Sequence, residues 1–269
     1  MAHCQGKYTL LMGNDDQLAS DKSLAELHSD IIVLGEASAV ITNYADFKDQ
    51  QRIARVPATR NYGGGPQVIA KHFRNFSLVS GVLLNTAEAQ AAATDRWDGS
   101  EYYHLHIASK LIASGGSLLE LDRVVVHKDI IIENEDVDSY AKRPLIWPCP
   151  IVTRLLPLRF YARLVTDGME KFVDRREASR LNEDVILQVY RYTYAYWLTQ
   201  YRRVQSRRFA LGIAIGMRPG TVTENVILSW WRRLRIQCIY FMVTTVALII
   251  PLGLFDRLKH NLYRIAKRR

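Results

Sequence analysis

The chain is predicted to fold as an α/β unit followed by an α-helical, membrane-associated carboxyl-terminal region. Three observations carry that expectation. From Tyr8 to about Ile132, short apolar runs are interleaved with segments of helical period, the pattern of strand–helix–strand units. Four prolines (Pro144, Pro148, Pro150, Pro157) then interrupt the chain beside Trp147. Beyond them the sequence is helical in pattern and holds an uncharged stretch, Ile236 to Phe255, of about the length that crosses a hydrocarbon core.

The bounds from composition agree. The 269 residues are 48% apolar, enough for one good core and an appendage. The three cysteines, Cys4, Cys149 and Cys238, have no metal-like spacing and suggest no disulfide framework, so a reducing compartment is expected. Met1 to Gly6 contains no apolar stretch, and no signal peptide is expected there. The net charge of +9 is unevenly spread: Trp231 to Arg269 holds nine Lys/Arg against one acid, Asp256. A basic tail suits nucleic acid or anionic lipid; the near-neutral remainder argues against nucleic acid, and the uncharged stretch inside the tail favours membrane.

The first strand is Tyr8 to Met12, an apolar run that stops at Gly13 and delivers Asn14, Asp15 and Asp16 to its carboxyl end. Adjacent carboxylates at the mouth of an α/β sheet suit a hard divalent cation and a diphosphate. Asn and Asp are also common turn formers, so the triplet alone decides little. Leu24, Leu27, Ile31 and Leu34 then predict a helix closed by Gly35, and Ala39–Tyr44 a second strand lying beside the first. Residues 45–66 are a polar connection ending in Gly63-Gly-Gly-Pro66, read as a hinge rather than a phosphate cradle. Val68 to Phe73 is a short helix. Phe76 to Asn85 is a strand interrupted at Ser80-Gly81, where glycine marks either a bulge or the close approach of a ligand. Thr86 is placed to cap an Ala-rich helix to Ala93.

Ser100 is placed to cap the next helix, which runs to about Ala113 and closes at Gly115-Gly116. Glu101 in its first turn gains from the helix dipole, or serves as a general base. His104 and His106, two apart, point to different faces and make no metal pair. Leu118–Leu121 and Val124–Val126 form a hairpin or one bent strand through Asp122-Arg123, followed by His127-Lys128-Asp129. The acidic run from Glu133 to Asp138 lacks the spacing and glycine of a calcium loop. Past the prolines, helices are expected over 159–173 and 183–209, with an amphipathic piece over 221–235.

Gly6-Lys-Tyr, the apolar strand and Gly-Asn-Asp-Asp-Gln-Leu18 resemble the metal-binding segment of family-two glycosyltransferases. The resemblance covers roughly Gly6 to Ile132 and implies the nucleotide-sugar-binding GT-A fold, a Rossmann-like mixed sheet. It puts Asp15 and Asp16 on the family's metal-binding carboxylates, Asp16 the more direct, with Mg²⁺ or Mn²⁺ as cofactor. Asn14 stands where the family has an acid and is counted with His127 and Lys128 as donor-binding. Trp97-Asp-Gly-Ser-Glu101 is similar to the abequosyltransferase-like branch, which implies Glu101 as catalytic base and Asp98 as its reserve. Ser80, Gly81 and His104 are the candidate acceptor contacts. The family has a nucleotide-binding half before this motif. Only a handful of residues precede Lys7, so a partial GT-A catalytic domain is expected.

The expected organisation is a partial catalytic domain over 1–141, a Pro-rich linker over 142–158, a helical region over 159–235, and a hydrophobic helix with basic tail over 236–269. The implied activity is inverting transfer of a sugar from a nucleotide-sugar to a lipid-linked saccharide acceptor. The implied setting is O-antigen or other lipopolysaccharide synthesis at the cytoplasmic face of the plasma membrane. The alternatives are a catalytically inactive fragment and a non-enzymatic basic membrane-binding protein.

Overall fold

The computed structural model describes residues 3–100, 102–132, 135–136 and 156–258. The chain divides into two compact units, Met1–Asp98 with Tyr102–Ile146, and Gly99–Glu101 with Trp147–Arg269. The first is mixed α/β and the second is helical, as the sequence predicts at that level.

The α/β unit is built on one mixed sheet. Its strands are β1 (Tyr8–Leu11), β2 (Gln17–Leu18), β3 (Ala39–Asp46), β4 (Arg52–Ile53), β5 (Arg60–Tyr62), β6 (Val82–Asn85) and β7 (Leu118–Lys128). The order along the sheet is β1-β6-β3-β7-β2, with β4 on β3 and β5 on β7. A further short pair, β8 (Ile131–Ile132) and β9 (Glu135–Asp136), stands apart from it.

The second long strand does not lie beside the first, contrary to expectation. β6 runs antiparallel between β1 and β3, so those two strands point the same way without touching. β3 and β7 pair in parallel. The carboxyl ends of β1, β3 and β7 therefore share one margin of the sheet, the side where α/β proteins bind ligands. The Asp122-Arg123 interruption is a bend, not a hairpin. β7 is continuous over eleven residues, and register shifts at Asn43 absorb the irregularity.

Helix α1 (Ser23–Leu34) lays Leu27 and Ile31 on the sheet over Val40, Leu83, Leu119, Leu121 and Val125. Leu24 and Leu34 of the same predicted stripe are exposed, so the buried face is narrower than the sequence suggests. Helices α2 (Pro66–His72) and α3 (Thr86–Ala92) each pack on α4 (Tyr103–Ala113), and Ile69, Ala89, Ile107 and Ile112 are buried. Asn85, not Thr86, caps α3 by accepting from the Glu88 amide at 3.2 Å. Thr86 bonds across to Thr9 instead. Tyr102, not Ser100, occupies the N-cap position of α4, without a side-chain cap bond. The glycine run at 63–65 packs on the end of α4: a Cβ on Gly64 would come within 2.3 Å of the Gly115 backbone. The Gly65 amide donates to the Ile112 carbonyl at 2.7 Å.

The helical unit contains α5 (Leu156–Met169), α6 (Arg175–Gln188), α7 (Ala195–Val204), α8 (Arg207–Gly216), the single turn α9 (Pro219–Val222), α10 (Trp230–Ile249) and α11 (Leu252–Leu258). The long helix expected over 183–209 changes geometry within its length and ends at Val204. A π-helical stretch over Val189–Tyr194 joins α6 to α7, and Ser206 starts α8 by accepting from the Phe209 amide at 3.1 Å. Tyr190, Tyr194 and Tyr240 form an aromatic centre whose hydroxyls are matched to Met217, Thr244 and Ala214. Glu183 is buried and paired with Arg232 and Arg235 of α10.

The twenty-residue uncharged stretch is not one helix. α10 ends at Ile249, and the chain bends by 114° before α11, where Pro251 cannot continue the hydrogen-bond ladder. Among the described residues no single helix is long and apolar enough to cross a membrane. The Pro-rich linker's first three prolines and Trp147 lie outside the described residues.

Candidate functional site

The site is assembled where β1 ends. Leu11 leaves the sheet into Gly13, and the next three residues turn towards β7. Two contacts fix that turn. β2 pairs Gln17 with His127 and Leu18 with Val126, and the Ile130 amide donates to the Asp15 carbonyl at 2.9 Å. Both carboxylates then crowd over Gly13. A Cβ on Gly13 would stand 2.9 Å from Asp15 Oδ1 and 3.0 Å from Asp16 Oδ2. Glycine at this position is what lets two acidic groups occupy one small space.

Asp16 is held from two sides. The Ser80 hydroxyl donates to its Oδ2. The Asp129 amide donates to its Oδ1 at 3.2 Å. Ser80 in turn accepts from the Gly13 amide at 2.8 Å, so one buried hydroxyl ties the end of β1 to the acidic pair. Burial pushes the Asp16 carboxyl above the usual carboxylate range. The bonds from Ser80 and Asp129 oppose that rise, and the nearby charges of Asp15 and Asp129 add to it. A carboxylate accepts about four hydrogen bonds or metal contacts in all, so these two leave room on both oxygens.

The loop carrying Ser80 is clamped by Arg55, which is buried. Its guanidinium donates to the carbonyls of Thr42 (2.8 Å), Leu78 (2.9 Å) and Ser80 (2.8 Å). Burial lowers its pKa to about 10, still far above neutrality. Gly81 follows at φ +75°, and a Cβ there would meet Thr42 Oγ1 at 2.4 Å. Tyr44, at the end of β3, lies under the Arg55 guanidinium at 5.5 Å. Burial raises its phenol, offset by the charges of Arg55 and Lys128.

Lys128 closes the margin of the site between Asp46 (3.2 Å) and Asp129. Burial works against its charge, but the bonds and charges of Asp129 and Asp46 outweigh that and lift it to about 12. His127 stands edge-on to Phe47, with ring centres 6.3 Å apart. Asn14 is exposed in the turn.

The structure thus brings Asp15, Asp16 and Ser80 together, with Gly81 behind Ser80, and Lys128 joins them only through Asp129. His104 is elsewhere. It is buried in α4, its Nε2 2.8 Å from the Phe76 carbonyl, and burial lowers its pKa to about 4. It is a buried histidine, 7% exposed, and the charge of Arg55 adds to the lowering. His106 is buried beside Trp97. Asp98 is exposed in the turn before Gly99. Glu101 lies outside the described residues.

Four contributors are absent from the sequence-based set: Tyr44, Asp46, Arg55 and Asp129. The first two were findable, because they sit at the carboxyl end of a parallel strand. Arg55 carries no sequence signal, since it lies in a polar connection that reads as solvent-exposed loop.

The oxygen-only donor set of Asp15 and Asp16 fits a hard cation such as Mg²⁺ or Mn²⁺. Among the described residues no group of three or more His, Cys, Asp or Glu side chains forms a metal-holding cluster. A cation at the pair would therefore be completed by ligands from a bound phosphate and water, the usual arrangement for Mg²⁺.

No protein-family model, curated protein or solved structure matches the chain.

Proposed function

We propose that the protein is an inverting glycosyltransferase that uses a nucleotide-sugar donor and a divalent cation held by Asp15 and Asp16. The observation that carries this reading is the braced acidic pair at the carboxyl end of β1. Asp16 is half-buried, its carboxyl is raised by burial, and two donors orient it. A group in that state gains most from a cation. The cation, when bound, would neutralise the donor diphosphate as it leaves.

The chain's own residues divide the remaining work. Ser80 and Arg55 hold Asp16 in place. Lys128, bonded to Asp129 and Asp46, is the cation assigned to a phosphate in this reading, provided one of its two carboxylate partners yields. Glu101, by the family resemblance, takes the proton from the acceptor hydroxyl as that oxygen attacks the anomeric carbon. The lipid-linked acceptor, the O-antigen setting and the cytoplasmic membrane face belong to this reading through the same resemblance.

A second reading, a catalytically inactive form, is favoured by one observation. Among the described residues β1 pairs only with β6 and ends the sheet, so the strand that carries the site is an edge strand.

The deciding experiment is Mn²⁺-dependent binding of nucleoside diphosphates to the full chain, beside Asp16→Ala. Saturable binding that needs the metal and is lost in the variant supports the donor site. A folded protein that binds no nucleotide with or without Mn²⁺ overturns it and leaves the inactive form.

A further inference from the structure

We propose that the helical unit docks on an anionic phospholipid bilayer, with α10 lying in the plane of one leaflet rather than crossing it. The exposure of α10 motivates this. Its inward stripe, Ile236, Tyr240 and Ala247, follows helical spacing and is buried. The opposite side of a helix on a soluble unit is normally polar. Here it carries Leu234, Phe241, Met242, Val246 and Ile249, each between 43% and 69% exposed. That apolar side runs for roughly 22 Å along the helix.

Its ends are built for an interface. Trp230 and Trp231 stack at 3.7 Å, and both are more than 60% exposed at the start of the helix. Indole rings of this kind settle at the headgroup level. Arg232, Arg233 and Arg235 occupy the first turns, where a span would have to bury them. At the other end the chain bends by 114° into α11, which adds exposed Leu254 and Leu258. The bend is braced from α7: Arg202 donates to the Ile250 carbonyl, and Arg203 pairs with Asp256 at 2.6 Å. An uncharged stretch held at such an angle is not aligned to cross a bilayer.

Charge selects the occupant. Over the described residues from Trp231 to Leu258 the chain carries four arginines (Arg232, Arg233, Arg235 and Arg257) against one acid, Asp256, a net +3. A second copy of this surface would bring like charge against like, whereas an anionic leaflet is complementary to it. Membrane docking of this face needs no catalytic activity, so it stands or falls apart from glycosyl transfer.

The test is flotation of the full chain with phosphatidylcholine vesicles, with and without phosphatidylglycerol. Recovery with the anionic vesicles is expected, weakened by added salt. The double variant Phe241→Glu, Ile249→Glu, with helix content unchanged by circular dichroism, is expected to lose at least about tenfold in partitioning. Failure of the parent to float, or equal flotation of the variant, overturns the proposal. So does a lipid-free dimer that the same variant converts to monomer, which would assign the face to a second copy. Geometry is tested by fluorophores at Cys238 or at Ile249→Cys in otherwise cysteine-free chains, quenched by lipids spin-labelled at different depths. Equal, shallow depths are expected. Depths differing by about 16 Å mean a spanning helix and overturn the in-plane arrangement.

Discussion

The hydroxyl of Ser80 donates to Asp16 while accepting from the Gly13 amide at 2.8 Å, so a residue 64 positions away sets the orientation of the candidate metal ligand. Ser80→Ala removes a donor from Asp16 and leaves the Gly13 amide without that partner. Burial then dominates the Asp16 carboxyl more fully, and its pKa rises further. Mn²⁺-dependent nucleotide binding is expected to weaken by about 10- to 100-fold, the usual cost of losing a group that orients a metal ligand. Isothermal titration of parent and variant checks this, and Ser80→Thr, which keeps the hydroxyl, is expected to retain most of the affinity. Lowering the pH should weaken binding in all three, since the cation competes with a proton on a carboxyl already raised.

His104 predicts a second pH effect, on stability. Its folded pKa of about 4 lies below the usual histidine value of 6.5 because the ring is buried. The folded state therefore binds the proton less readily than the unfolded chain. The stability tied to a neutral ring is fully present above pH 6.5 and is lost as the pH falls towards 4. The shift corresponds to about 3 kcal/mol. Urea denaturation of the parent at pH 7.5 and pH 4.5 is expected to show a larger loss than His104→Gln, whose side chain does not titrate. Equal losses in the two proteins would remove His104 as the cause.

Glu101 carries the chemical half of the functional reading. Glu101→Gln keeps shape and hydrogen bonding but cannot take a proton. Transfer from a nucleotide-sugar, followed by release of nucleoside diphosphate, is expected to fall by about 10²- to 10⁴-fold while metal-dependent donor binding is unchanged. If Asp98→Asn gives that loss instead, the base is Asp98. Loss of donor binding in Glu101→Gln would mean that the residue supports the fold or the donor and not the acceptor.

The division of the chain into an α/β unit and a helical unit was legible from periodicity, and so was the acidic turn after β1. Both depend on residues adjacent in sequence. What stayed hidden was non-local. That β6 lies between β1 and β3 cannot be read from either strand, because pairing order leaves no mark on a run of apolar residues. Arg55 looks like any exposed arginine until Thr42, Leu78 and Ser80 are seen to turn their carbonyls towards it. His104 looked like a site residue because it lies one turn after Glu101. It is buried, with its ring bonded to the Phe76 carbonyl, 28 residues earlier. The uncharged stretch was legible as apolar, but a count of residues does not register that Pro251 turns the chain.

Glu183 gives a last prediction, for the helical unit. Its carboxylate is only 2% exposed and is held by Arg232 and by Arg235, the latter at 3.2 Å. The two arginines are far more exposed than the acid, so the partners are unequal. Removing the acid leaves cations that water can solvate. Removing Arg232 leaves a buried anion whose remaining partner, Arg235, is mostly in solvent. Arg232→Ala is therefore expected to cost about 3 kcal/mol, the low end for breaking a buried pair. Glu183→Gln is expected to cost less, and the double variant less than the sum of the two singles. Thermal or urea denaturation of the four proteins closes that cycle, and strict additivity would mean that the pair contributes no coupling between α6 and α10.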